Sequence, residues 1–479
     1  MKTAKLPLLA VLISGLFAVT ACVQAANDIK KNVIDEKSPR WSRVATDIVT
    51  VLDENVKYQS RPSVRVEHKG ELDWCISLPK SVEVKTGEMY EGTVFVKSEG
   101  PDDIGLGIVL RSGQNVRYWN YGWNGVKGET SSWRQIKVRF IVPRGVTSVQ
   151  PRLTGTKHVK AWFADFEFKK TGSLDLESKE RNYTLENKSI KLVFHAPSGA
   201  FDIQDKRTGR VWKQNPDFRM NFVRAIQQNK NSLDFILFEG RTFQDFKINL
   251  RLDGDKPECV VNIDADDHKR ELLSELAWPF PFMSQKGDRV MLPLNEGISF
   301  PVEEQAYRLS QLCTYGGHGI CMAFWGHYED RIGPVGGPGY IAIVETSDDA
   351  TVRLDQKELK EGDTPLLCVW PCWVSQMKKF GYARQIRYAF ATKGGHVALC
   401  KRYRQHAAEV GLLVPFTEKI KRNPNLKQGL ELLVGAANIW YWDNDRVALV
   451  KEMKAAGMDR LLWSGGGSPE DLATMNKLG

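Results

Sequence analysis

Over the first third of the chain, apolar and polar positions alternate with a period of two. Val64-Arg65-Val66-Glu67, Val82-Glu83-Val84-Lys85, Gly92-Thr93-Val94-Phe95-Val96, the set Ile104, Leu106, Ile108 and Leu110, and Ile136-Lys137-Val138-Arg139-Phe140 each place their apolar members on one face of a strand. Turn residues punctuate them: Lys69-Gly70, Thr86-Gly87, Glu99-Gly100-Pro101, Ser112-Gly113 and Pro143-Arg144-Gly145. This spacing predicts a β-sandwich over residues 27–172. Residues 173–414 carry further strand patterns at 191–194, 200–205, 210–212, 235–238, 246–250, 259–263, 339–344 and 385–390, with a hairpin turn at 206–209. Few helical patterns interrupt them, so two large stacked sheets are expected, with His327 in a loop and a closing helix at 395–410.

The period then changes. Residues 415–429, rich in Lys, Asn and Pro, read as a linker. The apolar run 432–437 reads as a parallel strand covered on both faces. At its carboxyl end stand Asn438, Trp440, Trp442 and Asp443. Leu449, Val450, Met453 and Ala456 share one face of a helix over 446–456, which Gly457 stops. A second strand follows at 461–463, then a glycine loop. Ser468, Pro469, Glu470 and Asp471 supply an N-cap, a first-turn proline and two acids. Residues 430–479 thus open a β/α array.

Composition narrows the function classes. A 42% hydrophobic and 26% charged chain is ordinary for a globular protein. The net charge of +9 comes from scattered basic residues rather than an arm or a basic helix, which argues against nucleic acid and leaves an acidic or sulfated polymer open as a partner. Fourteen Trp and thirteen Tyr suit either large β cores or platforms for sugar rings. Lys2 and Lys5 precede a short apolar stretch at 6–19, and Val23-Gln24-Ala25 fits signal peptidase, so residues 1–26 read as an export leader. Val19-Thr20-Ala21-Cys22 also resembles a lipobox, which keeps a lipid anchor at Cys22 open beside simple cleavage. The expected location is periplasmic, extracellular or on the outer membrane. Cys313 and Cys321 are a candidate disulfide pair, while Cys368 and Cys372 lack the partners of a zinc site.

Several segments bear a family likeness. Trp133-Arg134-Gln135 leading to Phe140-Ile141-Val142-Pro143, then Val149-Gln150-Pro151-Arg152-Leu153, then Ala161-Trp162-Phe163-Ala164-Asp165-Phe166-Glu167-Phe168, resembles the second half of carbohydrate-binding modules of the family 4/9/22 type. The resemblance implies a glycan-binding jelly roll, and a structural calcium with Asp165 as a ligand; Ala164 stands where the family often has a first aspartate. Within this module lies Tyr118-Trp119-Asn120-Tyr121-Gly122-Trp123-Asn124. Two readings are open. Tyr118, Trp119, Tyr121 and Trp123 form a sugar platform, or Trp119, Tyr121 and Trp123 alternate into the core and leave Tyr118 near solvent.

Downstream, Ser198-Gly199-Ala200-Phe201, Gly209-Arg210-Val211-Trp212, Met291-Leu292-Pro293-Leu294-Asn295-Glu296-Gly297, residues 339–346, Gly394-Gly395-His396 and Lys401-Arg402-Tyr403-Arg404 resemble glycoside hydrolases of the family 101 and 129 type. That likeness implies a multidomain, mainly β chain: a jelly roll at 27–172, a β-supersandwich at 173–414, a linker at 415–429, and the first β/α units of a (β/α)8 barrel at 430–479. It implies hydrolysis of α-galactosides or α-N-acetylgalactosaminides by two carboxylates, needing no cofactor, and places both carboxylates beyond Gly479. Asn438, Trp440, Trp442 and Asp443 would then line a sugar subsite. The partner in either case is a polysaccharide or glycoconjugate. The alternative is a non-catalytic surface protein that binds carbohydrate.

Overall fold

The computed structural model describes residues 38–44, 46–78, 81–176, 181–215, 221–272, 274–295, 297–304, 312–314, 319–330, 336–358, 362–375 and 377–478. The leader and Cys22 lie outside the described residues. The chain is mainly β, as the alternation predicts, and no barrel is closed among the described residues. It divides into two compact units, residues 1–399 and 400–479.

The first unit opens with eleven strands: β1 Arg40–Ser42, β2 Ile48–Tyr58, β3 Arg61–His68, β4 Trp74–Ser77, β5 Val82–Glu83, β6 Glu88–Glu99, β7 Asp103–Ser112, β8 Asn115–Lys127, β9 Arg134–Ile141, β10 Ser148–Gly155 and β11 Val159–Ser173. Among the described residues they form two antiparallel sheets. One runs β1-β4-β10-β7-β8, with β5 also on β10; the other runs β2-β3-β11-β6-β9. Ile104, Leu106, Ile108 and Leu110 of β7 face Val94, Val96, Val138 and Phe163 across a common core. The alternation that marks these strands also decides which face of each sheet meets solvent.

The second β region shares one large core from Tyr183 to Phe390. A nine-stranded sheet forms one layer, from Asn221–Gln228 at one edge to Ile298–Pro301 at the other. The facing layer is divided, where one continuous sheet was expected. It holds a four-stranded sheet ending at Val211–Lys213 and a three-stranded sheet ending at Leu366–Trp373. Between them runs the buried stretch Leu276, Ala277, Trp278, Phe280, Phe282 and Met283, which makes single bridges, Gln214 with Phe282 and Leu276 with Trp373. Pro279 and Pro281 have no N–H to donate, so this stretch continues the layer without a full ladder. A smaller apolar cluster of Ile141, Phe222 and Phe238 packs with Met89, Leu174 and Leu176 at the seam of the two β regions.

His327 is a correction to the loop assignment. It lies in the strand Phe324–Glu329, fully buried. Its Nε2 donates to Asp288 Oδ2 at 3.0 Å. Arg210 Nη2 donates to the same oxygen at 2.6 Å and its guanidinium covers the Trp212 ring at 3.8 Å. Cys313 and Cys321 are not bonded to each other; Cys321 Sγ instead faces the Asn295 carbonyl oxygen at 3.8 Å.

In the second unit, residues 415–429 are not a plain linker. They hold the helix Phe416–Arg422 and the start of the helix Asn425–Leu433. Pro415 and Pro424 occupy N-cap positions, where a missing N–H costs nothing. The first parallel strand is therefore displaced from 432–437 to Ala437–Ile439. Leu426, Leu430 and Leu433 recur at helical spacing, and Gly435, at φ +81, is the helix stop rather than a strand residue. Ala437–Ile439 pairs in parallel with Leu461–Trp463. The helix Pro469–Lys477 starts with a full capping box between Ser468 and Asp471.

Asp288 gives a test of the buried network. Burial opposes its ionisation, but the hydrogen bonds and charges of His327 and Arg210 outweigh burial and hold its carboxyl below the ordinary range. A depressed folded pKa contributes stability that is fully present above about pH 4 and is lost as pH falls through the folded value. Asp288→Asn should cost about 3 kcal/mol at neutral pH by removing the buried carboxylate that His327 and Arg210 share, which leaves Arg210 with Glu329 alone. It should also flatten the acid limb of a urea-unfolding series below about pH 4. An unchanged acid limb would show that this carboxylate does not set the pH dependence.

Candidate functional site

The outer face of the sheet β1-β4-β10-β7-β8 is where side chains with no packing role converge. Strand register places them in rows. Trp41 pairs with Cys75, Cys75 with Thr154, Thr154 with Gly105, and Gly105 with Gly125. The next outward row holds Ser77, Arg152 and Gly107. Gly105 and Gly107 alternate with the core residues Ile104, Leu106 and Ile108, so the outer side of β7 carries no side chains at these two positions.

The aromatic run on β8 lands on that bare backbone. Pairing with β7 is not one-to-one: Leu110 faces Tyr118, Ile108 faces Tyr121 and Leu106 faces Asn124. Each step inserts one extra residue, a bulge, and Gly122 takes φ +61 in one of them. The inward period on β8 thus becomes three. Tyr118 and Tyr121 turn to the core, with Tyr121 3% exposed. Trp119, Asn120 and Trp123 turn outward, the two indoles keeping 58% and 43% of their surface exposed. The four aromatics therefore split in pairs. Neither a four-ring platform nor a strict alternation of Trp119, Tyr121 and Trp123 into the core survives: Tyr121 is buried, and the bulges break the period of two that the alternation needs.

Trp123 lies flat across β7. A Cβ at Gly105 would come within 2.6 Å of its ring, and one at Gly125 within 2.7 Å. Its Nε1 donates to Thr154 Oγ1 at 3.0 Å. Beside it, Asn120 Oδ1 accepts from Arg152 Nε at 3.0 Å and Nη2 at 2.6 Å, and the guanidinium lies 5.2 Å from the centre of the Trp119 ring. Gly107 makes room for this pair, since a Cβ there would stand 2.8 Å from Asn120 Oδ1.

Trp41 on β1, 47% exposed, borders the other side, three strand spacings from β7, roughly 14 Å. Between them runs a groove of about 290 Å³ that also meets Asp73, Asp103 and Thr156. Asp103 Oδ1 and Trp74 Nε1 are buried there with no hydrogen-bond partner. The groove offers ring faces for stacking, a fixed guanidinium, and unused acceptors and donors for hydroxyl groups. Trp41, Asp103, Arg152 and Thr154 escaped sequence reasoning as groove residues. The signal that could have found them is Gly105 and Gly107, glycines at alternate strand positions where a ring approaches the backbone.

The other sequence candidates lie elsewhere. Asp165 occupies a bulge of β11 at φ +50, its carboxylate 3.6 Å from Arg61. Among the described residues no three His, Cys, Asp or Glu side chains gather as a metal cage, and a cation at Asp165 would face a guanidinium, so the residues there do not fit calcium. In the second unit, Asn438 Oδ1 accepts from Ser464 Oγ at 2.7 Å, joining the carboxyl ends of the two parallel strands. Trp440 and Trp442 stand 71% and 68% exposed beside it, and Asp443 is exposed. Trp442 borders Gly466 of the loop after the second strand.

No family model matches the chain, and no curated protein matches it. Among solved structures it is similar to the α-N-acetylgalactosaminidase NagBb from Bifidobacterium bifidum in complex with Gal-NHAc-DNJ, at 16% identity and TM-score 0.47, over 60% of this chain and 51% of that one. The chain thus spans about half the length of that enzyme. It is also similar to the CBM22-1 xylan-binding domain of Paenibacillus barcinonensis Xyn10C, at 14% identity and TM-score 0.25, over 30% of this chain and 92% of that one. A third likeness is TmCBM61 in complex with β-1,4-galactotriose, at 17% identity and TM-score 0.22, over 29% of this chain and 99% of that one.

Gly105→Val should lift the Trp123 indole from β7 and break its bond to Thr154, at a cost of about 1 kcal/mol in stability. Acrylamide should then quench more of the tryptophan fluorescence than in the wild type. The increase should vanish in a Trp123→Phe background. Quenching that rises equally in both backgrounds would mean that the ring does not lie where the glycines place it.

Proposed function

We propose that this chain is the glycan-recognising part of an exported glycoside hydrolase, and that it holds a sugar chain along the outer face of β1-β4-β10-β7-β8. The observation that carries this is Trp123. Its indole is fixed flat by two glycines and by Thr154, yet 43% of it stays open to solvent. A ring held rigid and left exposed stabilises nothing more by burial, but it is ready to stack on the CH face of a sugar at little entropic cost. Asn120, Arg152, Thr154 and Asp103 surround it with groups that bond hydroxyls.

The hydrolytic part of the proposal rests on the second unit. Its two parallel strands carry Asn438, Trp440, Trp442 and Asp443 at their carboxyl ends, the end at which β/α barrels build their active sites. These residues would form the rim of a subsite, with acid/base hydrolysis of an α-galactoside or α-N-acetylgalactosaminide-like linkage carried by carboxylates on later strands of such a barrel. Residues 1–26 would direct export, with Cys22 as the site of an anchor if the leader is a lipoprotein signal.

Affinity electrophoresis of the whole chain through gels containing galactan, xylan or mucin glycans tests the binding half. The wild type should be retarded by at least one of them. Trp123→Ala should lose about 1–2 kcal/mol of that binding, with its urea midpoint near the wild type. Equal retardation of wild type and variant would remove Trp123, and with it this groove, from the binding surface.

A further inference from the structure

We propose that the groove selects an anionic glycan, and that Arg152 receives a carboxylate or sulfate group carried by the sugar chain. This rests on the glycan-binding proposal above and names the class of ligand.

Arg152 is 9% exposed, and among the described residues no carboxylate forms an ion pair with it. Nε and Nη2 both donate to the neutral amide oxygen of Asn120, one face is covered by Trp119, and the Cys75 thiol is a further hydrogen-bond neighbour. The other well-buried arginines of the first unit are handled differently. Arg210 pairs with Asp288 and Glu329, Arg384 with Asp349, and Arg387 with Asp253, Glu258 and Glu345. The fold therefore neutralises a buried guanidinium with a carboxylate where the purpose is structural. An uncompensated cation is costly to bury, and Arg152 is kept that way in the groove floor.

The nearby groups do not supply the missing charge. Cys75 is the other titratable neighbour, and burial pushes its thiol up, so it stays neutral at physiological pH despite the guanidinium beside it. Asp73, on the groove wall, is engaged by Arg43 at 3.5 Å. Asp103 also lines the groove, and its buried Oδ1 is an acceptor without a donor; it suits a sugar hydroxyl rather than the anion. The Asn120 bonds fix the guanidinium plane, so an incoming anion meets it already oriented. The scattered net charge of +9 agrees with a polyanionic partner and adds long-range attraction to this local contact.

The test titrates the full chain by calorimetry with polygalacturonate, dextran sulfate and neutral galactan, alone and as Arg152→Met, Arg152→Lys and Trp123→Ala. The wild type should bind one of the anionic polymers about tenfold more tightly than galactan. Arg152→Met should erase that preference, bringing affinity for the anionic polymer down to that for galactan, and Arg152→Lys should keep part of it. Polygalacturonate against dextran sulfate tells carboxylate from sulfate. Equal wild-type affinity for galactan and both polyanions overturns the proposal, and that comparison needs no variant to fold. A preference that survives Arg152→Met, or that ignores Trp123→Ala, marks general attraction to a basic surface and overturns it as well. Failure to bind any of the three polymers would sink the glycan groove itself, a result distinct from loss of the charge preference alone.

Discussion

The outer face of the first sandwich depends on what β7 leaves out. Gly105 and Gly107 interrupt the outer side of a strand whose inner side is packed with Ile104, Leu106 and Ile108. With no Cβ in the way, an indole can lie on the peptide plane itself, and an Asn–Arg pair can sit beside it. The bulges of β8 then decide which rings are offered. One extra residue per step converts a period of two into a period of three. Tyr118 and Tyr121 go to the core, and Trp119 and Trp123 go outward. A single inserted residue more or fewer would exchange them.

The second β region shows the opposite treatment of polar groups. Asp288 is buried with His327 and Arg210 both bonded to its carboxylate, against Trp212 and Tyr340. Arg387 is enclosed by three carboxylates. Such networks fix one arrangement of packed sheets because every alternative leaves a charge unpaired. The contrast gives Arg152 its meaning: the same residue type, buried to a similar degree, is closed by acids in one place and left open in the other.

Much of this was legible in the chain. Strict alternation located the sandwich strands because each buries one face. The helices at 446–455 and 469–477 and the strand at 461–463 followed from caps and short apolar runs whose signals are local. What escaped depends on pairing. Bulges leave no mark in one strand read alone, so the split of the four aromatics on β8 was hidden although Gly122 hinted at it. Gly435 reads equally as a strand residue or a helix stop until the leucines upstream are counted at helical spacing. Cys313 and Cys321 looked like partners by proximity in sequence, but Cys321 faces Asn295. Arg152 drew no notice because its missing counter-ion exists only in three dimensions.

Affinity and selectivity in the groove therefore have separate physical sources. Stacking on Trp123 and Trp41 senses a flat apolar face that every pyranose has, so it supports binding without much choice among sugars. Hydrogen bonds to Thr154 or Asp103 discriminate hydroxyl orientation but exchange against water, and each contributes little net free energy. A charge-assisted bond to a guanidinium that has no other anion differs in kind, because its cost of burial is already met by the fold whether or not ligand is present. Binding an anion relieves that cost; binding a neutral sugar does not. The discrimination comes from Arg152 being pre-organised and unpaired, and a carboxylate of the protein placed beside it would remove the selectivity while making the fold more stable.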